Sequence, residues 1–137
     1  MDGLLQQVLK RHPKTVRLII KNYPLPNHRE AFKAATAALA AQRQGKYWEF
    51  HRLLLENHAR MSDKTIQEIV GRLGLDADRH KADMQSLEIR SLIQSDIRNG
   101  REIGVRGTPT VFINGKRLKM RSPEGFDEAI AAELKKK

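Results

Sequence analysis

Apolar residues recur along this chain in two distinct rhythms. Leu4, Leu5, Val8 and Leu9 repeat at helical spacing, which predicts an amphipathic helix over 2–12. Pro13 ends it, because the residue before a proline avoids the α region. Thr15-Val16-Arg17-Leu18-Ile19-Ile20 is rich in β-branched and apolar residues and predicts a strand over 14–21. Tyr23-Pro24-Leu25-Pro26-Asn27-His28 follows as a proline-punctuated loop. Four helical stretches come next. An alanine-rich one covers 29–44 and stops at Gly45, and a second covers 46–58 with Tyr47, Phe50 and Leu54 on one stripe. A third starts at the N-cap Ser62, buries Ile66, Ile69, Val70 and Leu73, and ends at Gly74. Asp76 opens a long one to about Ile103, its inner stripe formed by Met84, Leu87, Ile89, Ile93 and Ile97. Trp48, Phe50 and Phe112 are assigned to the core.

The rhythm changes again at Val111-Phe112-Ile113, an apolar run of the kind covered on both faces of a sheet. Asn114-Gly115 is a two-residue turn signal, since a type I′ turn needs φ > 0 at both central positions. Arg117 and Leu118 begin the returning strand. Ser122-Pro123-Glu124 then starts a last helix with proline at its first position, and Phe126, Ile130 and Leu134 face inward.

At 137 residues the chain is long enough for one domain with one core. Charged residues make up 31% and no apolar run reaches the length of a membrane span, so the expected partners do not include the bilayer interior. The net charge of +10 favours acidic partners. Lys and Arg are spread along the chain apart from Lys135-Lys136-Lys137, and no base-reading or stacking motif accompanies them. Nucleic acid therefore ranks last among the partners. The chain contains no cysteine, which excludes disulfides, thiolate metal sites and cysteine redox chemistry within these residues. His12, His28, His51, His58 and His80 form no metal-ligand spacing, so neither metal nor cofactor is expected.

The segment Gly107-Thr108-Pro109-Thr110, followed by the apolar run and Asn114-Gly115, resembles the cis-proline loop of the DsbA-like thiol-disulfide oxidoreductases. The order of elements resembles that family too: Val16 to Pro26, then the alanine-rich helix running into Gly45-Lys46-Tyr47-Trp48-Glu49-Phe50-His51, then Gly104 to Gly115. The resemblance implies an α/β thioredoxin-like fold, with a four-helix insertion at about 29–103 in a single domain spanning 1–137. It implies that Pro109 is the cis proline and that the backbone of Arg106, Gly107, Thr108 and Pro109 holds extended or unfolded polypeptide. It also implies a protein working outside the cytoplasm, mostly in the periplasm, although Met1-Asp2-Gly3-Leu4-Leu5 lacks the pattern of a secretory signal.

This sequence departs from the family at its start. There an earlier strand and a Cys-x-x-Cys pair precede the first helix, whose dipole stabilises the thiolate. The present chain begins at or just beyond that point, which reads as truncation. Such a domain has no redox chemistry of its own. Its alternative roles are peptide binding through the proline loop or dimerisation. The missing strand is the central one, between 15–20 and 110–113. Unpaired buried backbone groups cost about 1–3 kcal/mol each. The expectation is that the gap closes, by direct pairing of the two strands or by a homodimer through the open sheet edge.

Overall fold

The computed structural model describes residues 2–24 and 29–136. Leu25 to His28 of the proline-punctuated loop, and Lys137 of the terminal lysine block, lie outside the described residues. The chain divides into two compact units, one formed by Met1–Ile20 with Val105–Lys137, the other by Lys21–Gly104.

In the first unit, helix α1 (Asp2–Arg11) and helix α7 (Pro123–Leu134) lie beside a hairpin of β1 (Phe112–Ile113) and β2 (Lys116–Arg117). The strands are antiparallel, with Phe112 opposite Arg117 and Ile113 opposite Lys116, and Leu118 N–H donates to the Val111 carbonyl at 2.8 Å. Asn114 and Gly115 turn the corner at φ 49° and 81°, the positive pair that this dipeptide predicts. Val8, Phe126 and Ile130 form the core, with Leu4, Leu5, Val16, Val111, Ile113 and Leu118 packed against it. Burying each large apolar side chain contributes roughly 1.5–3 kcal/mol. Ser122 caps α7 by accepting from Gly125 N–H at 3.0 Å, and Pro123 takes the first helical position. Arg11 Nη2 pairs with Asp127 Oδ1 at 2.9 Å and fastens α1 to α7.

The second unit is helical: α2 (Arg29–Gln42), α3 (Tyr47–Glu56), a 3₁₀ turn (His58–Arg60), α4 (Asp63–Arg72), α5 (Ala77–Asp83) and α6 (Leu87–Glu102). The alanines of α2 form a smooth face that allows close packing. Ala37, Ala38 and Ala41 meet Phe50, Leu53 and Leu54 of α3 and Ile66, Ile69 and Val70 of α4. Leu39 and Ala40 meet Ile89 and Ile93 of α6. Ser62 caps α4 as the sequence predicts, accepting from Thr65 N–H at 3.2 Å.

Several expectations need correction. The stretch 14–21 forms no strand: the described residues contain one two-stranded sheet, β1 with β2. Residues 15–20 still alternate, with Val16, Leu18 and Ile20 turned inward and Thr15, Arg17 and Ile19 exposed, but they have no ladder partner. Direct pairing of 15–20 with 110–113 therefore does not occur. The helix expected over 76–103 is two helices, because Ser86 starts α6 as an N-cap for Ile89 N–H. The insertion accordingly holds five α-helices. Trp48, assigned to the core, is 45% exposed, and Leu87, assigned to the inner stripe, is 76% exposed. Leu134 is also exposed, whereas Phe50 is fully buried and Phe112 half-buried.

Candidate functional site

The candidate site is the loop that enters β1. The Thr108–Pro109 peptide bond is cis. Arg106, Thr108 and Pro109 are exposed and Gly107 is half-buried, so the four residues read from the sequence occupy one short surface segment. Two side chains tie the loop down. Thr110 Oγ1 donates to the Gly107 carbonyl at 2.6 Å, and Arg121 Nη1 donates to the Pro109 carbonyl at 2.7 Å. Among the described residues Thr108 has no hydrogen-bond partner for its main-chain N–H or C=O. Gly107 has open space where a Cβ would stand. The loop thus presents unoccupied backbone at its tip while its flanks are held.

Arg121 was not legible as part of the site. It lies 12 residues beyond Pro109, on the segment between the hairpin and α7, and only the fold of the hairpin brings it back. Its contact uses a charged donor on a neutral carbonyl, the stronger kind of hydrogen bond. Arg106 has no salt bridge among the described residues. The loop carries no thiol, and the chain contains no cysteine. Among the described residues no group of three or more His, Asp or Glu is placed to hold a metal ion.

Titratable groups in the helical unit serve packing. Asp96 is buried on α6 and accepts from Asn22 N–H and Asn22 Nδ2, both at 3.0 Å, with Lys21 Nζ at 3.5 Å. Burial, and secondarily the charge of Asp96, pushes the Tyr47 phenol above its ordinary value. His80 is buried, donates from Nε2 to the Ala37 carbonyl at 2.9 Å and stacks on Phe50. The sequence marks neither the buried place of His80 nor that of Asp96 in the readings above. Asp96 had a readable signal, since Ile89, Ile93, Asp96 and Gly100 follow the helical repeat of one buried stripe.

The family model for a DSBA-like thioredoxin domain matches residues 4–131. A crystal structure of a thioredoxin-like oxidoreductase from Silicibacter pomeroyi superposes with a TM-score of 0.84 at 26% sequence identity, covering 98% of this chain and 77% of that one. The Na(+)/H(+) antiporter NhaA 3 of Salinispora tropica is 36% identical over 104 residues, which are 75% of this chain and 16% of that protein. The Na(+)/H(+) antiporter NhaA of Nitrosospira multiformis is 26% identical over 112 residues, 81% of this chain and 18% of that protein. This chain therefore spans less than a fifth of the length of these antiporter relatives. The fold is thioredoxin-like of the DsbA type, the proline loop occupies the entry to β1, and the family match runs through both units: the chain belongs to the DSBA-like thioredoxin domain family.

Proposed function

We propose that this domain holds extended, unfolded polypeptide on the main chain of the Arg106–Pro109 loop and performs no disulfide exchange with its own residues. Thiol–disulfide exchange needs an attacking thiolate, and the sequence has none. The loop offers a guest its main chain instead. The observation that supports this reading is the loop tip itself. The Thr108 N–H and C=O are unpaired and exposed, while Thr110 and Arg121 hold the residues on either side. Extended peptides bind such segments by strand-like hydrogen bonds. The antiporter relatives carry a domain of this kind within far longer chains, but the transport named for them is not carried over. No described helix here is long and apolar enough to cross a membrane.

The test uses Gly107→Leu. Nothing lies within 4 Å of a Cβ placed at Gly107, and the added bulk of leucine covers the surface a guest backbone must reach. A fluorescein-labelled, reduced and carbamidomethylated polypeptide should bind the wild-type chain and bind the variant at least tenfold more weakly, a loss of about 1.4 kcal/mol. Unchanged affinity, with an unchanged far-UV circular dichroism spectrum, removes the proposal. Binding that disappears between 50 and 200 mM salt in both proteins would instead mark it as charge attraction.

A further inference from the structure

Folding gathers the cations of this chain unevenly. The unit formed by Met1–Ile20 and Val105–Lys137 carries 12 of the 26 Lys and Arg but only 5 of the 16 Asp and Glu, and so holds most of the net charge. Within it, no acidic residue occurs from Val105 to Pro123, while Lys116, Arg117, Lys119 and Arg121 follow one another closely. All four are exposed. Glu133 engages Lys116 at 3.4 Å. Arg121 bonds to the neutral Pro109 carbonyl, which leaves its charge uncancelled. Arg117 and Lys119 have no acidic partner among the described residues.

These side chains follow β2, and the outer edge of β2 is open. The sheet of the described residues consists of β1 and β2. The bond from Leu118 N–H to the Val111 carbonyl makes Val111–Leu118 a hydrogen-bonded pair, so the adjacent Phe112–Arg117 pair is the non-hydrogen-bonded kind. The N–H and C=O of Arg117 therefore point away from β1. Among the described residues the main chain of Lys119 and Met120 has no hydrogen-bond partner either. Cations on an edge strand keep neutral and basic strands away, but they attract an acidic one.

We propose that the outer edge of β2 docks an acidic, extended polypeptide segment of about five residues with Asp or Glu at alternate positions. One guest residue lies opposite Arg117, accepts from its N–H and donates to its C=O. Alternate side chains of a strand share one face, so an acid at that residue stands beside the Arg117 guanidinium and an acid two positions along falls level with Lys119. Opposite charges on directly opposed strand positions are favourable. The main chain supplies the pairing and the charges select the guest. A second copy of this chain does not fit, because β2 against β2 sets Arg117 and Lys119 against the same cations. A nucleic-acid strand finds charge there but no exposed aromatic ring on which to stack, since Phe112 lies on β1 and is half-buried. The site is separate from the Arg106–Pro109 loop and does not rest on the function proposed for that loop.

The test adds a capped, labelled heptapeptide alternating threonine and glutamate to the full chain at about 150 mM salt. One control is the same peptide N-methylated at each glutamate, which keeps the charge and removes the donors that face β2. The other replaces glutamate by glutamine. The acidic peptide should bind about tenfold more tightly than either, and hydrogen exchange read by mass spectrometry should slow at 117–120. Arg117→Glu, at an exposed position, should lose this peptide and gain the one alternating threonine and lysine, a reversal that a misfolded variant would not show. Equal binding of the N-methylated peptide overturns the proposal, since charge alone would then suffice. So does equal competition by an oligothymidylate of the same charge, which would make the edge a general polyanion surface. Slowing confined to 105–110 overturns it in favour of the proline loop. Slow exchange at 117–120 without peptide, together with a dimer in sedimentation, makes a second copy the occupant and also overturns it. Weakened binding of unfolded polypeptide in Gly107→Leu, with the acidic peptide still bound, or the reverse, separates the two sites.

Discussion

Replacing Gly125 with alanine sets two opposing effects against each other within the first turn of α7. Helix propensity favours alanine over glycine by at most about 1 kcal/mol. Space opposes it more strongly. A Cβ built at Gly125 stands 2.0 Å from the Met120 carbonyl oxygen and 2.9 Å from both the Met120 carbonyl carbon and Cβ. The obstacle is main chain and cannot rotate aside, so the 118–122 segment or the helix start must move. Overpacking of this kind costs typically about 1–3 kcal/mol, and forced displacement of backbone belongs at the upper end of that range. The net expectation is a loss of about 1–2 kcal/mol. With a urea dependence of about 2 kcal/mol/M, the midpoint should fall by roughly 0.5–1 M. Equilibrium unfolding followed by circular dichroism measures this, and faster hydrogen exchange in α7 assigns the change to the first unit. Gly71→Ala is the matched control. It lies near the end of α4 with nothing within 4 Å of the added Cβ, so propensity acts alone and the protein should gain about 0.5–1 kcal/mol. A Gly125→Ala protein as stable as the parent would refute the steric account. The consequence reaches the candidate site, because the segment that must move carries Arg121, which holds the Pro109 carbonyl.

Two further outcomes are expected. Lys136, helped by Asn114 and Lys116 and opposed by partial burial, holds the Glu133 carboxyl below its ordinary value of 4.5. A carboxylate with a depressed folded-state pKa contributes stability that is present above about 4.5 and is lost as pH falls through the folded value. Glu133→Gln should therefore melt below wild type at pH 6 and converge with it on acidification; a difference in melting temperature that persists unchanged at pH 3 would contradict this linkage. Asp96→Ala removes the buried acceptor of Asn22 N–H and Nδ2. It should cost about 2–4 kcal/mol by leaving those donors unpaired, and an unfolding midpoint within error of wild type would reject the anchor role.

How far the sequence could be read depended on whether a feature is local. The Asn114–Gly115 corner, the Ser62 cap and the Ser122–Pro123 helix start are each decided by two or three neighbouring residues, and each forms as expected. Pairing is not local. Thr15 to Ile20 has the composition and alternation of a strand, but a ladder needs a second backbone, and none of the described residues supplies it. The break between α5 and α6 has a weak local signal, because Ser86 stands among good helix formers and caps α6 through a single bond to Ile89 N–H. Trp48 was misplaced for a related reason: it lies one residue beyond Tyr47, and a helix turns about 100° in that step, off the buried stripe. In the candidate loop, Arg106 to Pro109 are neighbours in sequence, so their order alone singles them out as candidates. Arg121 could not, since its role comes from the hairpin that returns it to Pro109.

The function proposed for this domain rests on a hold on a guest's backbone and not on sulfur chemistry, for which these 137 residues carry no cysteine. The division is physically clean. Thiolate stabilisation depends on a cysteine at a helix N-terminus, whereas the hold depends on unpaired main chain braced by Thr110 and Arg121. The bracing by Thr110 and Arg121 needs no thiol. On the proposed function the loop offers backbone rather than reactive groups, so it should select guests by extended conformation, with little regard for charge. That selectivity distinguishes it from the general attraction that a net charge of +10 exerts on any acidic chain, which salt abolishes.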